Sequence, residues 1–248
     1  MTTLVFAHRG ASGYAPENTL EAFQLAVDMG AQGIELDVHL TRDGEIVVAH
    51  DERIDRVSDG IGRINDMMLR DLKKHKFNTV HPEYTDAKMP TLREVYELLL
   101  PTGLNINVEL KNSVIAYAGL EGKCLNLAAE MGMEDRVFYS SFNHYSLLRV
   151  KKLNPGAVCG LLYGGCLINP WEYAANLKVD ALHPHYSELS LVPDECDKAH
   201  ALGLKVNTWT VNDERSMRMV IDAGADAMIT NYPDRAKAVT DAYSAGRG

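Results

Sequence analysis

The chain has few of the residues that build cross-links, nucleic-acid surfaces or membrane spans. Its 248 residues include four cysteines and no CxxC pair, so the sequence predicts neither a disulfide framework nor a structural zinc site. Basic residues are scarce, because 25 Lys and Arg stand against 34 Asp and Glu, for a net charge of −9. That balance argues against nucleic acid and anionic lipid as partners. No stretch reaches the roughly 18 apolar residues that a membrane span requires.

The first residues, MTTLVFAHRG, lack the basic segment and the long apolar run of a signal peptide. The cysteines are set mostly among apolar neighbours, as buried free thiols are. We therefore expect a cytoplasmic protein without a membrane partner. Hydrophobic residues make up 46% and charged residues 24%, which is typical of a globular protein and excludes disordered, collagen-like and low-complexity classes. The sequence leaves the oligomeric state open and is compatible with a homodimer.

Short β-rich runs alternate with helical patterns from end to end of the chain. A hairpin of residues 33–40 and 46–49, around a turn at 42–44, adds one strand outside this alternation. Discounting it, eight strand–helix units remain, which predicts an α/β fold, a closed (β/α)8 TIM barrel with a parallel sheet. The predicted barrel strands are residues 3–7, 33–40, 104–110, 137–140, 158–163, 181–183, 205–209 and 227–230.

One stretch, residues 51–90, departs from the alternation. It carries mixed charges, several Gly and Pro residues and one short helical pattern near 66–74. We interpret it as a small insertion after the hairpin, too short and too polar for a core of its own, within a single domain of residues 1–248. The first helix is predicted over 18–29, with Asn18 as its N-cap and Glu21 reaching back to it.

Polar side chains alternate with apolar ones in two of the predicted strands. In residues 34–38 the carboxylates Glu35 and Asp37 share one face, and in residues 106–111 Glu109 lies on the corresponding face. The apolar residues suit the helix layer, so three carboxylates should point into the barrel mouth. Burying clustered carboxylates is costly unless a cation neutralises them, and all-oxygen ligation favours Ca²⁺ or Mg²⁺ over zinc. The alternative is that each carboxylate pairs with a nearby Arg or Lys.

Two histidines follow predicted strands at the end where barrel enzymes place their chemistry. His8 directly follows the first strand and His50 the hairpin strand, and two such groups can act as general base and general acid near neutral pH. Arg9 and Lys111 add cations at the same mouth, which suits a phosphate or simply neutralises the carboxylates. Trp209 is predicted to point inward, where it either walls a substrate or fills the top of the barrel.

Taken in order, these motifs resemble the glycerophosphodiester phosphodiesterase family, in its cytoplasmic bacterial form. The resemblance runs nearly the full chain. The motifs are His8-Arg9-Gly10, Pro16-Glu17-Asn18-Thr19, Glu35-Leu36-Asp37-Val38, Thr41-Arg42-Asp43-Gly44, His50-Asp51, Pro90-Thr91-Leu92, Glu109-Leu110-Lys111, Ser141-Phe142, Trp209-Thr210-Val211-Asn212 and Thr230-Asn231-Tyr232-Pro233.

The resemblance implies metal-dependent hydrolysis of glycerophosphodiesters, such as glycerophosphocholine or glycerophosphoethanolamine, to sn-glycerol 3-phosphate and an alcohol. It implies one divalent cation, Ca²⁺ or Mg²⁺, on the two Glu and one Asp that correspond to Glu35, Glu109 and Asp37. The catalytic histidines correspond to His8 and His50, and the phosphate-binding cations to Arg9 and Lys111. Two alternatives stay open: a lyase that releases a cyclic phosphate, and a barrel that binds phosphate esters without catalysis.

Overall fold

A computed structural model describes residues 2–246 as a closed barrel of parallel strands surrounded by helices. The strands are β1 (Leu4–His8), β2 (Gly33–Leu40), β3 (Ile46–Val48), β4 (Asn105–Leu110), β5 (Val137–Ser141), β6 (Cys159–Tyr163), β7 (Ala181–Pro184), β8 (Lys205–Thr208) and β9 (Ala227–Thr230). The helices are α1 (Leu20–Asp28), α2 (Leu69–Leu72), α3 (Leu92–Leu99), α4 (Leu120–Glu130), α5 (His144–Leu153), α6 (Pro170–Leu177), α7 (Glu188–Leu191), α8 (Glu195–Ala201), α9 (Glu214–Asp222) and α10 (Pro233–Ala245).

The sheet runs in the order β1-β9-β8-β7-β6-β5-β4-β2, and pairing of β1 with β2 closes it. Every pairing among these eight strands is parallel, whereas β3 pairs antiparallel with β2. The predicted (β/α)8 TIM barrel and its extra hairpin strand are therefore confirmed. All carboxyl ends of the barrel strands meet at one rim, which is where side chains from distant parts of the sequence can converge.

The main core lies between the sheet and the helices. Alternate residues of β2 and β4 fill it, because successive strand residues point to opposite faces and these apolar ones face the helix layer. Ile34, Leu36, Val38, Ile106, Val108 and Leu110 are fully buried there. The residues between them on each strand must point into the barrel. Within residues 2–246, none of the helices has the length and apolar content that crossing a membrane would need.

Three local features differ from the sequence-based expectations. Helix α1 begins at Leu20, two residues later than predicted, because Thr19 is its N-cap and accepts a hydrogen bond from the Ala22 amide. The prediction of Asn18 as the cap is wrong. The helical pattern of the sequence predicts a helix over about 113–131, whereas helix α4 begins at Leu120 and the residues before it form a loop. Helix α3 was not predicted, although Thr91 and Glu94 form a capping box at its start.

The insertion between β3 and α3 does have a small core, contrary to the sequence-based expectation. Seven buried apolar side chains pack together there, and two of them come from the β3 hairpin, so the insertion completes its core with barrel residues. These seven are Val47, Ala49, Ile54, Ile64, Leu72, Phe77 and Met89. The cluster anchors the insertion beside the rim at which His50 ends the hairpin.

Candidate active site

A cleft opens at the carboxyl ends of the barrel strands. Strands β1, β2 and β4 and the residue after β1 contribute ionisable side chains to its lining. Strands β5, β6 and β9 and the loops after β3, β5 and β8 contribute most of the other lining residues. The lining residues include His8, Arg9, Glu35, His50, Asn107, Glu109, Ser140, Phe142 and Trp209. The structure therefore brings six of the eight site residues predicted from sequence to one cleft. The other two, Asp37 and Lys111, lie directly beside it through the contacts described below.

The register of β2 against β4 brings the three predicted carboxylates together. Asp37 lies opposite Glu109, and Glu35 is two residues before Asp37 on the same face. Each of the three offers an oxygen within 4.8 Å of the others, and all three side chains are buried. The sequence-based expectation that they cluster is thus matched by their geometry.

Burial and mutual repulsion give the three carboxyl groups of this cluster different pKa values. Burial first, and the negative charge of Asp37 second, raise the pKa of Glu109 to about 7 and hold the pKa of Glu35 well above its usual range. Burial acts on Asp37 in the same direction, but Lys111 and Arg9 outweigh it and lower the pKa of Asp37 well below its usual range. Without a further cation the cluster therefore cannot ionise fully at neutral pH.

Two side-chain cations reach the cluster without neutralising it. Lys111 Nζ lies 3.0 Å from Glu109 Oε1 and 3.5 Å from Asp37 Oδ1, and Arg9 Nε lies 3.5 Å from Asp37 Oδ2. Three carboxylates thus share two cations. Asp37 Oδ1 is buried and accepts no hydrogen bond from residues 2–246. An unsatisfied carboxylate oxygen inside an all-oxygen cluster fits the ligand preference of Ca²⁺ and Mg²⁺, so the residues present fit one divalent cation.

Asn18 holds the remaining oxygen of Asp37. Its Nδ2 donates to Asp37 Oδ2 at 2.9 Å, and the backbone of Asn18 adopts φ 58°, in the left-handed region that Asn tolerates better than most residues. The sequence analysis treated this residue as a helix cap. The αL preference of Asn was the available signal, but only the tertiary contact identifies its partner.

The two histidines present the same ring nitrogen to the cleft. His8 Nδ1 lies 2.6 Å from Asn231 Oδ1, and His50 Nδ1 lies 2.7 Å from Asp51 Oδ1. Both partners are acceptors, so each Nδ1 carries the proton and each Nε2 is left with a free lone pair in the neutral ring. Burial, reinforced by the charge of Arg9, lowers the pKa of His8 to about 4.

A third histidine, His39, hydrogen-bonds to the backbone of His50. His39 Nε2 donates to the backbone carbonyl of His50 at 3.1 Å, and Tyr117 donates its hydroxyl to His39 Nδ1 at 2.9 Å. Burial lowers the pKa of His39 to about 4, so its ring stays neutral as this hydrogen-bond pattern requires. Neither Asn231 nor His39 was assigned a role from the sequence, because their partners are remote in sequence or are backbone atoms.

Arg9 reaches the cluster through an unusual backbone conformation. Its φ is 56°, and Gly10 follows at φ 81° in close contact with the Ala22 backbone, where a Cβ atom would lie only 2.6 Å from the nearest atom. The Arg9 amide also donates to Glu35 Oε2 at 3.1 Å. Glycine at position 10 therefore lets the loop pack on α1 while Arg9 turns its guanidinium toward Asp37.

Two aromatic rings, Trp209 and Phe142, line one part of the cleft and form what we call its aromatic wall. Trp209 Nε1 donates to the His183 carbonyl at 2.9 Å, which fixes the indole, and the ring of Phe142 meets it edge-to-face at 5.5 Å. Asn107 and Ser140 also line the cleft, and their Oδ1 and Oγ atoms are buried without a hydrogen-bond partner among residues 2–246. Such atoms are available to bind polar groups of a ligand.

Comparison with known proteins agrees with this geometry. Residues 8–235 match the model of the Glycerophosphoryl diester phosphodiesterase family. The chain is 42% identical, over 94% of its length and 96% of the relative's, to a glycerophosphodiester phosphodiesterase from Caldanaerobacter subterraneus. An Oleispira antarctica phosphodiesterase, solved in complex with the product sn-glycerol-3-phosphate, superposes with a TM-score of 0.84 at 32% identity, covering 97% of both chains. A Thermotoga maritima glycerophosphodiester phosphodiesterase superposes with a TM-score of 0.78 at 30% identity, covering 94% of this chain and 96% of its own.

Proposed function

The chain belongs to the glycerophosphoryl diester phosphodiesterase family, and we propose that it hydrolyses glycerophosphodiesters to sn-glycerol 3-phosphate and an alcohol. The observation that carries the proposal is the cleft itself. It joins two histidines with free Nε2 atoms, a buried cluster of three carboxylates, and the cations Arg9 and Lys111. Phosphodiester hydrolysis needs a base, an acid and positive charge around one phosphoryl group, and this set supplies all three.

The carboxylates Glu35, Asp37 and Glu109 would hold one divalent cation, Ca²⁺ or Mg²⁺. When bound, that cation would supply positive charge for a phosphoryl oxygen and lower the pKa of a hydroxyl or water beside it. The support for this part is the shared oxygen cluster and the unsatisfied Asp37 Oδ1. Asn18 keeps Asp37 oriented toward the cluster by its 2.9 Å hydrogen bond.

We assign the two histidines different roles in proton transfer, one as the base and one as the acid. A pKa near 4 keeps His8 neutral at physiological pH, so its Nε2 can accept a proton from the attacking nucleophile. His50 donates from Nδ1 to the carboxylate of Asp51, which orients the ring, and we assign to His50 Nε2 the delivery of a proton to the leaving alkoxide. Arg9 and Lys111 would stabilise negative charge on the phosphoryl oxygens as it develops.

The aromatic wall suits the alcohol end of the substrate. Trp209 and Phe142 offer ring faces and edges to a head group such as choline or ethanolamine, and cations bind well to tryptophan faces. Asn107 and Ser140, whose side-chain oxygens lack partners within residues 2–246, would hydrogen-bond to glycerol hydroxyls. The four free thiols, of which Cys166 is exposed, accord with a reducing compartment, and we include a cytoplasmic location in the proposal.

Phosphorus NMR tests the reaction directly. The protein is incubated with glycerophosphocholine or glycerophosphoethanolamine in Ca²⁺, in Mg²⁺, or in excess chelator. We expect the monoester to accumulate with a divalent cation and not with chelator. A cyclic phosphate as the only product would favour the lyase alternative, and binding without turnover under every condition would favour the non-catalytic barrel. Unchanged turnover in excess chelator would contradict the metal requirement.

A further inference from the structure

A chain of ion pairs runs outside the cleft from His50 to Arg9, by way of the insertion. His50 Nδ1 contacts Asp51 Oδ1 at 2.7 Å, and the other oxygen of Asp51 accepts from Arg56 Nε at 2.7 Å. Arg56 donates from both terminal nitrogens to the two oxygens of Glu17, at 2.7 and 2.8 Å. Glu17 Oε1 also accepts from Arg9 at 2.9 Å. The Arg56 guanidinium therefore links Asp51, the partner of His50, to Glu17, the partner of Arg9.

The geometry of Arg56 is demanding. A guanidinium is a rigid planar fork, and here it binds Glu17 with two parallel hydrogen bonds while its third nitrogen binds Asp51. Fixing both carboxylates to one plane fixes the distance between them. Asp51 in turn sets the orientation of the His50 ring, and Glu17 limits where the Arg9 guanidinium can lie.

The small core of the insertion sets the position of Arg56. Ile54, two residues earlier, is buried in that core, and its carbonyl accepts from the amide and from the hydroxyl of Ser58. These bonds close a turn around Arg56 and direct it back toward the barrel rim. Arg56 itself is not among the residues that line the cleft, and its side chain is 46% exposed.

We propose that Arg56 is a positioning residue for the reaction, which holds His50 and Arg9 in register through Asp51 and Glu17. The inference rests on the proposed function and adds a role for the insertion. Partly exposed ion pairs contribute little to folding stability, so the benefit of this network should lie in geometry rather than in stability. Small misplacements of reacting groups are costly for catalysis, whereas the same shifts barely change the folded state.

The decisive comparison is between R56M and R53M. Arg53 lies in the same insertion and pairs with the exposed carboxylate of Asp55 at 2.8 Å, so R53M removes a similar ion pair outside the network. We expect R56M to lower kcat about 10- to 100-fold, the range found when partners that orient active-site ligands are removed, with a smaller change in KM. R53M should match the wild type. R56K, which keeps the charge but not the fork, should recover part of the loss.

A second readout does not depend on turnover. In ¹⁵N-labelled protein without substrate, the wild type and R53M should carry the His50 proton on Nδ1. R56M should shift His50 toward a mixture of tautomers as Asp51 is released. This spectrum separates the two proposals: an inactive wild type would refute the proposed function, and the His50 signals would still test Arg56. If R56M matches R53M in kcat, KM and His50 signals, the inference is wrong. Should R56M fail to fold, R56K is compared with R53K in the same two measurements.

Discussion

Removing one carboxylate from the buried cluster should stabilise the protein above neutral pH when divalent cations are absent. Glu109 is the most informative position, because burial and then the charge of Asp37 raise its pKa from 4.5 to about 7. In the unfolded chain this carboxyl loses its proton near 4.5. Between these pH values the folded state binds more protons than the unfolded state, so stability falls as pH rises through the window. The loss is complete above pH 7 and amounts to about 3 kcal/mol.

Glu109→Gln removes this titration while keeping an oxygen that can accept from Lys111. Urea denaturation of the wild type and of Glu109→Gln, both in excess chelator, would be measured at pH 5 and pH 8. The titration of groups outside the cluster is shared and largely cancels in the difference between the two proteins, whereas loss of the Glu109 charge also eases ionisation of Glu35 and adds to the same gain. Because pH 5 already lies inside the window, we expect the variant to gain roughly 2 to 3 kcal/mol on the wild type between the two pH values. Glu97→Gln, on the exposed face of α3, is the matched control and should show no such gain.

Adding a divalent cation should make the wild type more stable than Glu109→Gln, the reverse of their order in chelator. At a free concentration 100 times its Kd, a cation that binds only the folded wild type stabilises it by about 2.7 kcal/mol. Glu109→Gln has lost one of three ligands and should gain much less. The reasoning is refuted if the variant is no more stable than the wild type at pH 8 in chelator, or if Ca²⁺ and Mg²⁺ stabilise both proteins equally.

Two further predictions concern residues away from the reacting atoms. Asn18→Gly keeps the left-handed backbone accessible but removes the donor to Asp37 Oδ2, so denaturation of the metal-free protein should show a loss of about 1–3 kcal/mol; an unchanged stability would mean that this hydrogen bond is dispensable. Burial lowers the pKa of His183 from 6.5 to about 3, so between these pH values the unfolded chain binds a proton that the folded protein does not. The free energy of unfolding is therefore highest above pH 6.5 and falls as pH is lowered toward 3. At pH 5 the cost is about 2 kcal/mol, and His183→Gln should flatten the acid side of the stability profile by that amount, whereas parallel profiles would contradict the assignment.

The inward carboxylates could be predicted from the sequence because strand alternation is strictly local. Glu35 and Asp37 must share a face at a spacing of two residues, and a parallel barrel then brings the end of β4 beside them. No long-range information is needed beyond the order of the strands. The same holds for His8, which ends β1 at the shared rim. His50 follows β3, which runs antiparallel to β2 and so returns the chain to the level of Asp37, whose carbonyl accepts from the Ala49 amide.

Residues that act through loop contacts could not be predicted in this way. Asn18 and Thr19 are adjacent, and both types favour a helix N-cap, so local preference could not decide between them. The choice depends on Asp37, 19 residues away, which captures the Asn18 amide. The core of the insertion was missed for a related reason. Its apolar residues follow no strand or helix period, and they complete their packing with Val47 and Ala49 from the hairpin.

The charges at the mouth explain how an acidic protein can accept an anionic substrate. The chain carries a net charge of −9, which repels phosphodiesters from most of its surface. Three carboxylates and the two cations Arg9 and Lys111 leave the cluster with one excess negative charge when all are ionised. A divalent cation changes that balance to one positive charge, equal and opposite to the single charge of a phosphodiester. The same ion that would assist the reaction would therefore also decide whether the substrate binds, so chelation should weaken binding of a non-hydrolysable diester as well as stop turnover.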